Sequence, residues 1–126
     1  MNHHLQRLRG LLLEVGSELL PHVKDPAVYP PSGSQGEIIT LTDVDLSADT
    51  SLAKFYVSIM ATPERQKAIL EGLNKAKGFF RHELGKQLCI KNIPSVLFLR
   101  DDTQEKAEHM YQLLESLRPT YTQEEL

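Results

Sequence analysis

With 126 residues, 40% of them hydrophobic and 25% charged, the chain has room for one domain with a single real core. Its one cysteine, Cys89, excludes an intrachain disulfide, and no apolar run approaches the ~18 residues of a membrane span. A formal charge of -3, from 14 basic and 17 acidic residues, argues against a uniformly basic nucleic-acid binder, so the distribution of charge carries more information than its sum.

Leu5, Leu8, Leu12, Val15 and Leu19 recur at intervals of three and four. This predicts an amphipathic helix over residues 2 to about 20, ended by Pro21, with Arg7 and Arg9 on its solvated side. The adjacent His3 and His4 cannot both face a metal from one side of a helix, and no Cys-His spacing elsewhere supports a zinc site. Lys24 to Glu37 is rich in proline and glycine without periodicity, which predicts a mobile loop over residues 25–37. In IITLTDVDL, from Ile38 to Leu46, Ile39 and Leu41 keep one phase while Val44 and Leu46 keep the other. A strand with a bulge near Thr42-Asp43 accounts for the slip. After a turn at residues 47–50, Ala53, Phe55, Val57 and Ile59 alternate with Lys54, Tyr56, Ser58 and Met60, giving a second, antiparallel strand with an apolar face that needs cover.

Thr62-Pro63 starts a helix, with the hydroxyl as cap and proline where its missing N–H is harmless. That helix leads into LNKAKGFFRHELGKQL, residues 73–88, the most informative stretch of the chain. Leu73, Ala76, Phe80, Leu84 and Leu88 form its apolar face, and Lys75, Lys77, Arg81 and Lys86 stand against a lone acid, Glu83. A glycine inside a helix costs about 1 kcal/mol relative to alanine, so a kink or brief left-handed turn is expected at Gly78. Such a break exposes backbone N–H groups beside lysine and arginine side chains, a seat suited to a phosphate backbone. Residues 73–91 carry five cations and one acid, and the rest of the chain nine cations and sixteen acids, so a region of +4 sits on a body of -7.

Val96 to Arg100 reads as a third strand. Asp102 and Glu105 form a capping box for a last helix carrying Ala107, Met110, Leu113, Leu114 and Leu117 and ended by Pro119, with 119–126 as a disordered tail. The sum is an α+β domain over residues 1–118, a three-stranded sheet with helices packed on one face. Asp43, Asp45 and Asp49 are candidate carboxylates for a divalent ion or for acid-base catalysis, Asp43 and Asp45 sharing one strand face, but no histidine, nucleophile or phosphate-binding glycine loop accompanies them. An enzyme, a metal or a cofactor is therefore not expected. Cys89 and Phe80 read as packing residues, while Phe79 reads equally as core or as a platform for a base.

Asp25-Pro26, TLTDVDLSAD from Thr40 to Asp49, AKFYVS from Ala53 to Ser58, LNKAKGFFRHELGKQL, Ile93-Pro94 and FLRDD from Phe98 to Asp102 follow one another in an order that resembles the ribosome-binding factor A family over nearly the whole chain. The resemblance implies a type II KH-like domain in which a helix-kink-helix at Ala76-Lys77-Gly78 replaces the usual Gly-x-x-Gly loop. It further implies a cytoplasmic, monomeric, non-enzymatic bacterial assembly factor, needed most in the cold. Such a factor binds the free small (30S) ribosomal subunit and its 16S rRNA during late maturation and supports processing of the rRNA 5' end. The RNA-binding residues expected are Lys75, Ala76, Lys77, Gly78, Arg81, Lys86 and Lys91, with no small-molecule substrate and no membrane. Contact with about four phosphates corresponds to a log-log salt slope of roughly -3 to -4. The alternative is a KH-like protein-protein adaptor that docks on ribosomal proteins without gripping RNA.

Overall fold

A computed structural model describes residues 3–30 and 36–125, with side chains of the last helix described as far as Leu117. The order of elements is α1 (His3–Leu19), a short 3-10 turn (Leu20–His22), β1 (Ile38–Leu46), β2 (Leu52–Met60), α2 (Pro63–Lys75), α3 (Lys77–Gln87), β3 (Ser95–Arg100) and α4 (Thr103–Glu125). Expectations for residues 1–2, 31–35 and 126 lie outside the described residues.

β1 and β2 form the expected hairpin, antiparallel from Ile38↔Met60 to Leu46↔Ala53, with the register shifting between Leu41 and Asp43. The shift lets both Leu41 and Val44 face the core in spite of their odd spacing. β3 joins the other side of β2 in parallel, from Leu52↔Ser95 to Val57↔Arg100. The α2–α3 pair is the crossover that a parallel neighbour requires. One face of the sheet is covered by α1, α2 and α3, which is the α+β, KH-like arrangement.

Alternation along β2 turns Ala53, Phe55, Val57 and Ile59 inward, and all four are buried. Phe55, Phe80 and Phe98 meet beneath α3, with centroids 5.2 Å apart for Phe55–Phe80 and 5.0 Å for Phe80–Phe98, both edge-to-face. α1 approaches this cluster closely at Gly16, where a Cβ would stand 2.9 Å from Leu41 and 3.0 Å from the Phe55 ring.

The expected caps are made at one end of the α2–α3–β3–α4 run and displaced at the other. Thr62 accepts from the Arg65 N–H at 3.3 Å, with Pro63 in the first turn, as its sequence indicates. The acid that receives the first N–H of α4 is Asp101, from Thr103 at 2.9 Å, and not Asp102. Asp102 instead pairs with Lys106 one turn on, and Glu105 turns back to Arg100 at 2.7 Å, so no capping box forms. Nor does Pro119 end the helix: α4 runs through it to Glu125. A proline removes one backbone hydrogen bond and already holds a helical φ, so it need not terminate a helix already under way.

The expectations for Cys89 and Arg9 are corrected. Cys89 is exposed, because the chain leaves α3 in extended form at Leu88 (φ -103, ψ 125), and Leu88 turns inward in its place. Within the loop 25–37, the described ends are fastened. Val28 and Tyr29 donate to the Asp25 carbonyl, Ala27 donates to the Asp25 side chain, and Arg65 clasps Glu37 (2.8 and 3.1 Å) and the Ala27 carbonyl (2.7 Å). The Arg65 hydrogen bond holds the Glu37 carboxyl below its usual range. Arg9, expected on a solvated face, is tied to the Asp43 carboxylate and donates to the Val44 carbonyl at 2.6 Å.

Candidate nucleic-acid interface

α2 and α3 are separated by a single residue, Ala76, at φ -90 and ψ 5. Its N–H donates to the carbonyls of Gly72 and Leu73, both at 3.1 Å, and its own carbonyl receives Phe80 N–H at 3.0 Å. One peptide therefore ends α2 and begins α3. The break thus falls two residues before the glycine where a kink was expected. Gly78 itself is helical, and among the described residues Gly36 is the one glycine with positive φ. The bridge-region geometry of Ala76 is open to any residue, so the change of axis does not require glycine.

The position of the break follows from how each helix is fastened to β3. Asn74, near the end of α2, presents its amide to the outer edge of that strand, donating to Phe98 O at 3.0 Å and accepting from Phe98 N at 2.9 Å. It thereby takes the place of a neighbouring strand. Arg81, one turn into α3, donates to the carbonyls of Pro94 (3.2 Å) and Ile93 (3.0 Å) just before β3. Leu73 and Phe80, both 0% exposed, complete the attachment from below.

At the start of α3, no side chain caps the helix and no acid occupies the first turn. The N–H groups of Lys77, Gly78 and Phe79 are the ones a helix leaves without internal partners, and they lie at the positive end of its dipole. A Cβ at Gly78 would meet nothing within 4 Å, so an oxygen can come close to this backbone. Lys75 and Lys77 are exposed on either side of Ala76, and neither enters an ion pair among the described residues.

The structure divides the seven expected site residues. Lys75, Ala76, Lys77 and Gly78 gather at the break. Arg81 lies one turn on, with its guanidinium committed to two carbonyls. Lys86 lies near the far end of α3, which at ~1.5 Å per residue is roughly 15 Å away, and Lys91 lies beyond the helix in the connection to β3. Lys86 lies 3.5 Å from Glu83, and at ~100° per residue it projects nearly opposite to Lys77. Asn74 had no sequence signal as an anchor. Of the three carboxylates considered for chemistry, Asp43 is paired with Arg9, Asp45 faces Lys54 across the hairpin, and Asp49 accepts hydrogen bonds from Ser47 and Ser51 in the turn. Among the described residues, no three His, Cys, Asp or Glu side chains are placed to share a metal, and no helix is long and apolar enough to cross a membrane.

The sequence profile of the family described as ribosome-binding factor A matches residues 4–114. A ribosome-binding factor A from Thermodesulfovibrio yellowstonii is 40% identical over 116 residues, covering 91% of each chain. Among solved structures, a Thermotoga maritima protein determined by solution NMR superposes with a TM-score of 0.64 at 33% identity, over 78% of this chain and 87% of its own. The fold is also shared with a homology model of Thermus thermophilus ribosome-binding factor A fitted into a cryo-EM map of its complex with the 30S subunit (TM-score 0.59, 22% identity, 75% of this chain and 92% of the other). With the profile spanning nearly the full KH-like body and relatives matched along most of their length, the chain belongs to the ribosome-binding factor A family.

Proposed function

We propose that this protein is a non-enzymatic assembly factor that binds the free small ribosomal subunit through its 16S rRNA during late maturation and supports processing of the rRNA 5' end. The observation that carries the reading is the uncapped start of α3 at Ala76, flanked by unpaired Lys75 and Lys77 on a chain that is otherwise negative. Backbone N–H groups and two mobile ammonium groups suit a phosphate without reading its base, the division of labour seen when backbone contacts position a nucleic acid. The Thermus relative fitted into a 30S complex supports the choice of partner. In this reading Lys75, Ala76, Lys77 and Gly78 make the primary contact. Arg81 adds field from a fixed position, and Lys86 and Lys91 meet the RNA farther along. The KH-like body over residues 1–118 acts as a monomer in the cytoplasm.

With two or three phosphates at the break, the log-log salt slope for a single strand should be about -1.5 to -2, shallower than four free cations would give. Filter binding to 16S rRNA fragments at several salt concentrations measures it, and Lys77→Glu should weaken binding by at least tenfold and flatten the slope. Co-sedimentation should show preference for free small subunits over assembled ribosomes. If subunit binding persists while RNA binding is absent or indifferent to Lys77→Glu, the protein is an adaptor that docks on ribosomal proteins.

A further inference from the structure

The chain has four phenylalanines, and three of them, Phe55, Phe80 and Phe98, are 0–1% exposed in one cluster. The fourth, Phe79, is 39% exposed and takes no part in that cluster. At ~100° per residue, Phe80, Leu84 and Leu88 turn to the sheet, while Phe79 and Lys86, seven residues apart, share the outward side with His82 between them. An apolar ring left on the surface on the Lys86 side of α3, two residues along the chain from Lys77 and within a stretch of +4, suits a polyanion that also offers flat faces. A duplex keeps those faces inside its stack, whereas an unpaired nucleotide presents one.

We propose that Phe79 is a stacking platform for one unpaired base of single-stranded RNA, the strand then continuing along the outward side of α3 toward Lys86. This rests on the RNA-binding reading above and adds to it the class of RNA: single-stranded at the point of contact. Stacking on an aromatic side chain is tolerant of base identity, so the platform selects for unpairedness and not for sequence.

The test uses the full chain with a short oligoadenylate, the same strand made abasic, and its duplex, titrated against wild type, Phe79→Ala, Phe79→Trp and Lys77→Glu. Phe79→Ala should lose roughly ten- to hundredfold affinity for the oligoadenylate. Its salt slope should not change, because no phosphate contact is removed, and the abasic strand should bind both proteins alike. The chain contains no tryptophan, so Phe79→Trp places a sole indole whose emission should be quenched as the oligoadenylate saturates it. Should Phe79→Ala fail to fold, as judged by its unfolding transition, the quenching of Phe79→Trp decides alone. If both Phe79 variants bind as wild type without quenching while Lys77→Glu weakens binding, the platform is refuted and the phosphate seat stands. If Phe79→Ala loses affinity equally for the abasic strand, or loses subunit binding while retaining RNA, the ring serves the backbone geometry or a protein contact, and the proposal is overturned. If wild type binds no RNA at all, both readings fall together.

Discussion

At Gly78 the backbone is helical and a methyl group would enter open space. Alanine there should therefore leave the fold intact and raise its stability by about 0.5 kcal/mol, since helix propensity favours alanine and the penalty for glycine is smaller near a helix end. The same methyl would stand over the N–H groups of the first turn, so RNA affinity should fall several-fold as stability rises. Denaturant unfolding and filter binding on one preparation check both signs. A loss of more than 1 kcal/mol would mean that position 78 needs a conformation alanine cannot adopt. Thr50 is the contrasting case, because it holds φ 61 in the turn between β1 and β2, a region that a β-branched residue enters only under strain. Asp49 beside it compensates, accepting from both the hydroxyl and the N–H of Ser51 and from the hydroxyl of Ser47.

Among the elements, α4 stands apart. Met110, Tyr111, Leu113, Leu114 and Leu117 are 48–62% exposed, and among the described residues no helix or strand makes extensive contact with α4. Leu114→Ala should therefore change stability by less than about 0.5 kcal/mol, whereas Leu84→Ala, emptying a fully buried site under the sheet, should cost about 3 kcal/mol. Comparable losses in chemical denaturation would show that α4 folds against the body in solution. The helix also marks where reading residues in a row stops working. Periodicity located β1, β2 and the bulge, since those signals come from neighbours that share one face, and the Thr62-Pro63 cap located the start of α2. It could not tell that the apolar stripe of α4 has no surface to meet, because pattern reports amphipathicity and not the presence of a partner. The break at the interface was legible as an event and misplaced by two residues for a related reason. Glycine is a local cue, whereas the change of axis is fixed by Asn74 and Arg81 reaching β3, contacts 24 and 12–13 residues distant along the chain. The division of the cations between the two ends of α3 was likewise hidden, because composition sums charge over a stretch without its direction.

Taken whole, the molecule concentrates its net positive charge in and just after one crossover and keeps several carboxylates unusually acidic elsewhere. Glu37 is lowered chiefly by Arg65, Asp101 by Thr103 and Thr42, and Asp49, chiefly by Ser51, from 3.8 to about 2. In each case the unfolded chain takes up the proton first. The stabilisation is complete above about pH 5 and fades as pH falls toward 2, with Asp49 the last to yield. Urea midpoints should fall over that interval, and Asp49→Asn should make the decline less steep. A midpoint that rises on acidification would contradict these hydrogen bonds.

The parallel pairing of β2 with β3 joins residues some forty positions apart, from Leu52↔Ser95 onward, and most of the connection between the strands is α2, Ala76 and α3. Closing a loop of that length is entropically slow unless the intervening segment has already collapsed into helices. Annealing of the third strand is therefore favoured once the bent helical pair has formed, so the segment assigned to RNA also shortens the path to the protein's own last strand pairing.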